Sequence, residues 1–399
     1  MAEGAYGMQA YDVANIANKN FSQRFITAPF SPLGHSSRIN TKNATCVALP
    51  TNQPVRPERG RDPKQNAINL EKPLHSIYSY AAVTDSVEGL IMVNAETMMN
   101  FEPRDNFFQR GITWNPDGLL TGATHANWVG HYLWVAIPTG LAVIDLSEPL
   151  SPKHVTTVPL KNPHASMQQF RYVFAVDDEG LKVIDITDLE KPKVIPGASL
   201  PITSANRVFV SRTYAYVAAG SNGIVIVDVE NPENPKEYLR YTADGQINDA
   251  RDVIVASTNA SLFAYVADGK NGLKVLQLTS PDSQPGFYGF APEPKPELIS
   301  WRETRSPALA LSRPLERDRA VDESGHQIAV FGRLGSRPFT REESQRFYMD
   351  NGQIWKVSDR VDEKNSGTPG VCKIKPDVAK RDQKPGGVGP VSALSGGGK

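Results

Sequence analysis

Residues 131–155 and 171–195 carry one pattern twice, as HYLWVAIPTGLAVIDLSEPLSPKHV and RYVFAVDDEGLKVIDITDLEKPKVI. In each copy an apolar run leads into a turn with glycine, and a second apolar run ends in Ile-Asp before a proline-containing loop. Alternating β-branched and aromatic residues favour strands, and the short turn makes each pair of strands a hairpin. Two matched hairpins predict an internal repeat.

Further copies appear when the turn glycine is followed along the chain. A strand with Tyr or Phe precedes each of these glycines except the first, a shorter strand comes before it, and a more polar strand follows the proline loop. Four antiparallel strands in roughly 40–50 residues is the size of one β-propeller blade. The glycines are Gly7, Gly89, Gly140, Gly180, Gly223 and Gly272.

The two ends of the chain complement each other. Residues 8–13 and 22–28 supply a third and a fourth strand, and residues 306–312 and 326–332 supply a first and a second. Sharing one blade between the ends removes free sheet edges. The sequence therefore predicts an all-β propeller of six four-stranded antiparallel blades. A further strand-like segment, GQIWKVS at 352–358, makes seven blades the alternative.

We predict one propeller domain over residues 1–361, with insertions at 28–75 and 283–325. Residues 362–399 are rich in Gly, Pro and Lys. Such a tail buries too little apolar surface to offset its ordering entropy, so we expect it to be disordered or to lie extended on a partner.

Composition limits the classes of partner and cofactor. The chain has 399 residues with 43 basic and 43 acidic side chains, which gives no electrostatic preference for nucleic acid. It contains no apolar run of membrane-spanning length and no visible signal peptide. Its two cysteines, Cys46 and Cys372, form no CxxCH site, so we expect no covalent haem in this chain. A disulfide between them is left open.

Ligands of propellers bind in the central channel, near the start of each innermost strand. The residues before the predicted innermost strands are all polar, and sixfold packing would place them in a ring at one channel mouth. Two imidazoles and a carboxylate in that ring could bind a metal: His125, His164 and Asp249. The alternative is that all six bond to water and to neighbouring backbone. The six are Asn43, His125, His164, Ser204, Asp249 and Ser306.

Other motifs argue against catalysis. The chain has no G-x-S-x-G, P-loop or H-E-x-x-H pattern, and we therefore expect a protein that is not an enzyme. The acidic turns at Asp177 and Asp268 lack the ligand spacing of a calcium loop, and we interpret them as hairpin turns. Aromatic and Arg side chains in the second insertion, among them Trp301, Arg302 and Arg305, are of the types enriched at protein contacts.

The phrases GLAVIDL, GLKVIDI and GIVIVDV, each followed by a proline loop, resemble those of LVIVD-repeat proteins. The resemblance implies a β-propeller and a bacterial or archaeal surface protein, and hence an extracytoplasmic location. The long insertions and YDVANIANK near the start also resemble the propeller part of proteins associated with multihaem cytochromes. This chain departs from them because it lacks haem-binding cysteines.

Three functional hypotheses follow. The leading one is a non-enzymatic surface propeller that acts as a protein-interaction or assembly module, with a multihaem cytochrome as one class of partner. The second is a propeller that binds a metal or small ligand through the channel-mouth residues, and that could be an enzyme. The third is the propeller part of an extracellular electron-transfer assembly, of which this chain would be a fragment.

Overall fold

The computed structural model describes residues 1–12, 34, 36–50, 76–98, 106–257, 261–280, 292–312, 348–350 and 353–354. These residues belong to one compact unit, Met1–Asp359. The predicted strands at 22–28 and 326–332, the tail 362–399 and Cys372 lie outside the described residues.

The described part of the chain contains five sheets of four antiparallel strands. Two short strands precede them, β1 (Met8–Gln9) and β2 (Arg38–Ile39). Blade 1 contains β3 (Ala44–Ala48), β4 (Tyr80–Asp85), β5 (Gly89–Asn94) and β6 (Gln109–Trp114). Blade 2 contains β7 (His125–Val129), β8 (Tyr132–Ile137), β9 (Gly140–Asp145) and β10 (Lys153–Pro159). Blade 3 contains β11 (Ala165–Gln169), β12 (Tyr172–Asp177), β13 (Gly180–Asp185) and β14 (Lys193–Pro201).

Blade 4 contains β15 (Arg207–Ser211), β16 (Tyr214–Ala218), β17 (Ile224–Asp228) and β18 (Lys236–Tyr241). Blade 5 contains β19 (Asp252–Ser257), β20 (Leu262–Ala267), β21 (Leu273–Thr279) and β22 (Glu297–Arg302). Helix is limited here to the 3-10 turns Ser76–Ser79, Glu96–Met98 and Pro116–Gly118. The second and third strands of each blade are almost wholly buried, which explains their apolar runs, because both faces pack against neighbouring blades.

The predicted ranges differ from the structure in two places. The fourth strand beside β1 is β2 at Arg38–Ile39, which pairs with β1 in an antiparallel register. It therefore lies within the range 28–75, as does the inner strand β3. Similarly, Glu297–Arg302 lies within the range 283–325 but forms β22, the outer strand of blade 5.

Contacts between neighbouring blades show how the ring closes. In blade 4, Gly220 forms an antiparallel bridge with Ala250, which lies just before the inner strand of blade 5. Gly269 of blade 5 makes the same bridge with Ala308, which places residues 306–312 next in the ring. Gly4, just before β1, bridges Ala44 of blade 1. One end of the chain thus adjoins blade 5 and the other adjoins blade 1, which fits the predicted six blades.

Of the segment 352–358 that suggested a seventh blade, the structure describes only Gln353–Ile354. These residues form β24, which pairs with β23 (Met349–Asp350), and neither strand pairs with any other described strand. The adjoining Tyr348 is buried, and its hydroxyl lies 3.4 Å from Nε2 of Gln168 in blade 3.

Repeated aspartates stabilise the turns of the blades. At the end of the second strand, Asp177 accepts hydrogen bonds from the backbone N–H groups of Glu179 and Gly180, at 2.9 and 3.1 Å. At the end of a third strand, Asp185 accepts one from Thr187 N at 2.8 Å. Asp177 is thus a turn residue, as predicted, and the carboxylate oxygens bond to backbone amides.

The turn glycine is needed because the chain passes close to the outer strand. Gly223 has φ +68°, and a Cβ there would lie 2.3 Å from the carbonyl oxygen of Tyr241. Equivalent glycines make the same approach, with a Cβ at Gly180 lying 2.3 Å from Leu200 O. A side chain at these positions would therefore be strained and would collide with backbone.

We expect Gly223→Ala to lower the free energy of unfolding by about 2–3 kcal/mol, because strain in the left-handed region adds to the collision. The matched control is Gly245→Ala, where φ is +84° but no atom lies within 4 Å of the added Cβ. That control should cost only about 1 kcal/mol. Urea denaturation of both variants measures the difference, and equal losses would refute the role of the close approach.

Candidate functional site

The register of the sheets defines one equivalent position on every complete inner strand. In blade 4, Ile224 follows the turn glycine and pairs with Ala218, which pairs with Arg207 on the inner strand. The same chain of pairs leads to one residue in each of the other complete blades. We call these five residues the channel ring: Cys46, His125, Ala165, Arg207 and Asp252.

The inner strands lie side by side in chain order, β3, β7, β11, β15 and β19. Sγ of Cys46 lies 3.8 Å from the carbonyl oxygen of Ala126 in blade 2. Nη1 of Arg207 donates a 2.8 Å hydrogen bond to the carbonyl oxygen of His164 in blade 3. The channel ring therefore unites residues that are distant in the sequence.

Arg207 acts electrostatically on three other blades. Burial lowers the pKa of His125 well below its ordinary value, and the Arg207 guanidinium lowers it further. Burial raises the pKa of the Cys46 thiol and of the Asp252 carboxyl, and Arg207 opposes both shifts. One guanidinium thus acts on residues of blades 1, 2 and 5.

The ring offers hydrogen-bonding and charged groups in a partly dry environment. His125 is half-buried, and its Nδ1 atom is buried with no hydrogen-bond partner among the described residues. Oδ2 of Asp252 accepts a 2.8 Å hydrogen bond from Leu311 N, and Cys46 is a free thiol. Equivalent positions on the inner strands thus carry a neutral imidazole, a thiol, a guanidinium and a carboxyl.

We expect the free energy of unfolding to fall more steeply for the wild-type chain than for His125→Gln as pH drops from about 7 to about 5. The unfolded imidazole binds a proton near pH 6.5, whereas folded His125 stays neutral, so acid favours the unfolded state. The slopes should differ by at most about 1.4 kcal/mol per pH unit below pH 6.5.

Asp252 acts in the opposite direction, because its raised pKa lets the folded chain bind a proton before the unfolded chain does. Its contribution is present in both proteins and largely cancels in the comparison. Urea titrations across this pH range check the prediction, and parallel curves would contradict it.

The six residues predicted from sequence lie at or before the starts of the inner strands, but they do not occupy equivalent positions in the sheet register. His125 belongs to the channel ring, and His164 immediately precedes the ring residue Ala165. Three more of the six lie three residues before the channel-ring residue of their own blade, at exposed or half-exposed positions. These are Asn43, Ser204 and Asp249. Ser306 is exposed, and its carbonyl accepts a 2.6 Å hydrogen bond from Thr304 Oγ1.

Two of the three residues predicted to bind a metal, His164 and Asp249, have other partners. His164 lies with Nε2 3.0 Å from Asp178 Oδ1 and Nδ1 2.6 Å from Ala205 O. Asp249 forms an ion pair with Arg251 at 2.6 Å. In the part of the chain that the structure describes, no three His, Cys, Asp or Glu side chains are grouped to hold a metal ion. The structure therefore gives the metal hypothesis no support.

Sequence reasoning missed Cys46, Arg207 and Asp252. It took the residue just before each predicted inner strand, but the predicted and observed strand starts differ and the β3–β4 register shifts between Ala44 and Cys46. A usable signal was present, because a charged residue directly precedes an apolar run in Arg207-Val-Phe-Val and Asp252-Val-Ile-Val.

A second candidate surface lies on the outer strand β22. Ile299 is 45% exposed at the point where the register between β21 and β22 shifts, and Trp301 is 59% exposed. The exposed Arg302 follows directly. We call Ile299, Trp301 and Arg302 the β22 surface. Of the second-insertion side chains predicted to contact a partner, Trp301 and Arg302 are thus presented on a sheet edge.

No helix in the described ranges is both long and apolar enough to cross a membrane.

Comparison with known proteins supports the repeat assignment. The family model described as LVIVD repeat matches residues 127–158, 203–243 and 249–289, which fall in blades 2, 4 and 5. No curated protein matches the chain.

Solved structures that are similar to the chain include three of low sequence identity. The β-propeller domain of Myceliophteria thermophila Cps50 (Swd1) is 12% identical with a TM-score of 0.41, over 67% of this chain and 76% of that one. A putative 6-phosphogluconolactonase from Bacteroides uniformis is 11% identical with a TM-score of 0.42, over 57% and 70%. A functionally unknown protein from Desulfotomaculum acetoxidans is 8% identical with a TM-score of 0.43, over 68% and 75%.

Similarity at these sequence identities and TM-scores gives no information about the function of the chain. The repeats and the four-stranded antiparallel sheets agree with each other. The protein thus carries LVIVD repeats, and they build the blades of a β-propeller.

Proposed function

We propose that the protein is a non-enzymatic, extracytoplasmic interaction module that docks a protein partner on the β22 surface. The observation that carries the proposal is the exposure of Trp301 and Ile299 on the outer strand β22. Most large apolar side chains of the described blades are buried, whereas β22 exposes two of them two residues apart. The resemblance to bacterial and archaeal surface proteins supports the location.

The residue types fit docking energetics. Trp and Arg are enriched among residues that contribute most of the binding energy at protein interfaces. Trp301 lies opposite Lys274 in the β21–β22 register, so the strand ladder holds its backbone in place. A fixed backbone lowers the entropy lost when the side chain is covered by a partner.

The test compares two variants that each replace an exposed apolar side chain by lysine. In Trp301→Lys the β22 surface is changed, and in Leu150→Lys a side chain of similar exposure, 47%, is changed in the proline loop of blade 2. Native mass spectrometry after gentle extraction should show one partner at fixed stoichiometry with the wild-type chain and with Leu150→Lys. Trp301→Lys should be recovered alone.

Retention of the same partner by Trp301→Lys would refute the β22 surface as the docking site. A solitary wild-type chain would refute the interaction module itself. Soret absorbance of the partner would identify the multihaem cytochrome class, and its absence would assign another class of protein.

A further inference from the structure

The inner layer of the interface between blades 2 and 3 is polar, and β7 supplies one side of it. His125 pairs with Ala136 and Asn127 with Trp134 in the β7–β8 register. Both partners belong to the apolar cluster that joins blades 2 and 3. Because residues paired across antiparallel strands point to the same face of a sheet, His125 and Asn127 face blade 3.

The inner strand β11 supplies the other side. Ser166 pairs with Ala175 and Gln168 with Val173, and both apolar partners belong to the same cluster. Oε1 of Gln168 accepts a 3.2 Å hydrogen bond from Nε1 of Trp134, so the two faces are in direct contact. Four polar residues thus meet where these inner strands adjoin. We call them the blade 2–3 seam: His125, Asn127, Ser166 and Gln168.

The equivalent layer between blades 3 and 4 is apolar. At the same four register positions, that interface carries Ala165, Met167, Val208 and Val210, all within one apolar cluster. The backbone N of Val210 lies 3.1 Å from Sδ of Met167, which confirms that these positions meet. The propeller geometry therefore accepts an apolar inner layer, and the polar seam is a choice of side chains.

Three atoms of the seam have unsatisfied hydrogen-bonding capacity. Nδ1 of His125, Oδ1 of Asn127 and Oγ of Ser166 are each buried with no hydrogen-bond partner among the described residues. Ser166 is only 3% exposed. Native proteins provide partners for the great majority of buried polar atoms, so three such atoms on facing strands point to a bound molecule.

The three atoms select the chemistry of that molecule. An amide oxygen only accepts hydrogen bonds, a hydroxyl donates or accepts, and the unprotonated nitrogen of a neutral imidazole accepts. An anion would place a further acceptor against Oδ1 of Asn127. A metal ion is disfavoured, because no seam residue carries the negative charge that would offset it. Water both donates and accepts, and buried waters typically make about three hydrogen bonds.

We propose that an ordered water molecule bridges the blade 2–3 seam. It donates hydrogen bonds to Oδ1 of Asn127 and Nδ1 of His125, and it accepts one from the hydroxyl of Ser166. This arrangement leaves the proton of the neutral imidazole on Nε2. The site goes beyond the proposed interaction function and is independent of it.

A high-resolution crystal structure of the full-length protein tests the proposal. We expect an electron-density peak at hydrogen-bond distance, about 2.7–3.2 Å, from all three atoms. Nitrogen-15 NMR of the imidazole, assigned with His125→Gln, should show Nδ1 unprotonated at neutral pH. A direct hydrogen bond from Ser166 to Asn127 or His125, with no peak between them, would overturn the proposal. A peak that scatters as a metal ion, or a protonated Nδ1, would overturn the assigned ligand and its hydrogen bonds.

A variant that copies the apolar layer gives a second test. Asn127→Met combined with Ser166→Val places the side chains of Met167 and Val208 in the seam and should abolish the peak. The matched control is Ser211→Ala, which removes another buried hydroxyl without a partner, outside the seam, and should leave the peak in place. Circular dichroism reports whether each variant folds. If the double variant does not fold, Ser166→Ala replaces it and should weaken the peak. An unchanged peak in either folded seam variant would contradict the proposal.

Discussion

Replacing Trp134 with alanine is expected to lower the free energy of unfolding by about 3–5 kcal/mol. Trp134 lies in β8, is fully buried, and packs in the apolar cluster between blades 2 and 3. Its removal loses the transfer free energy of the ring and leaves a cavity that the rigid sheets cannot close. Guanidinium denaturation of the purified chain measures the loss.

The conservative variant Trp134→Phe keeps most of the ring volume but removes the hydrogen bond from Nε1 to Gln168 Oε1. It should cost about 1–2 kcal/mol, mainly through that hydrogen bond and the lost part of the ring. If Trp134→Ala costs no more than Trp134→Phe, the blade 2–blade 3 interface does not stabilise the fold as described.

Replacing Arg171 with methionine is expected to lower the free energy of unfolding by about 2–4 kcal/mol. The guanidinium is 3% exposed and binds Asp185 at 3.1 Å and Glu233 at 2.9 Å. Glu233 belongs to the proline loop of blade 4, so the pair joins two blades. Removing one member of a buried ion pair leaves its partners uncompensated. The acidic side chains are 30% and 37% exposed, so water recovers part of the loss.

Arg171→Lys serves as the control for charge. A lysine keeps the positive charge but lacks the planar fork that reaches both carboxylates, so about half of the loss should remain. The guanidinium also lies 4.3 Å from the centroid of the Tyr172 ring, a contact that lysine matches poorly. Stability of Arg171→Met within about 0.5 kcal/mol of wild type would contradict the role assigned to this network.

The fold was predictable because its signal repeats. Each blade needs a glycine where the second hairpin approaches the outer strand, and the third strands of blades 2, 3 and 4 end in an aspartate that caps the next loop. Because the local pattern occurs six times, it predicts both the order of the strands in each blade and the propeller fold. The strand β2, which pairs with β1, was not predicted, because it has only two residues and these are too few to show a hydrophobic alternation.

The site was less predictable because it depends on register. Whether Asp249 or Asp252 reaches the channel ring is decided by the pairing of β19 with β20, and a short pattern does not fix a shift of that size. His125 was found because it begins β7. Arg207 and Asp252 were missed because charged residues before an apolar run were not weighed as inward-facing. The unsatisfied Ser166 hydroxyl is a property of packing that no motif carries.

The central claim is that blades at the two ends of the chain complete one ring, and native-state hydrogen exchange tests it directly. At the junction between the N-terminal strand and blade 1, Ala44 N donates to Gly4 O at 2.9 Å and Gly4 N donates to Ala44 O at 3.0 Å. Within the chain, Gly220 and Ala250 make the same pair of bonds, each at 3.0 Å. If the ring is closed, the Ala44 and Ala250 amides should exchange with the same opening free energy, equal to that of global unfolding. Rapid exchange at Ala44 with full protection at Ala250 would show a ring that is open between blade 1 and the N-terminal strand.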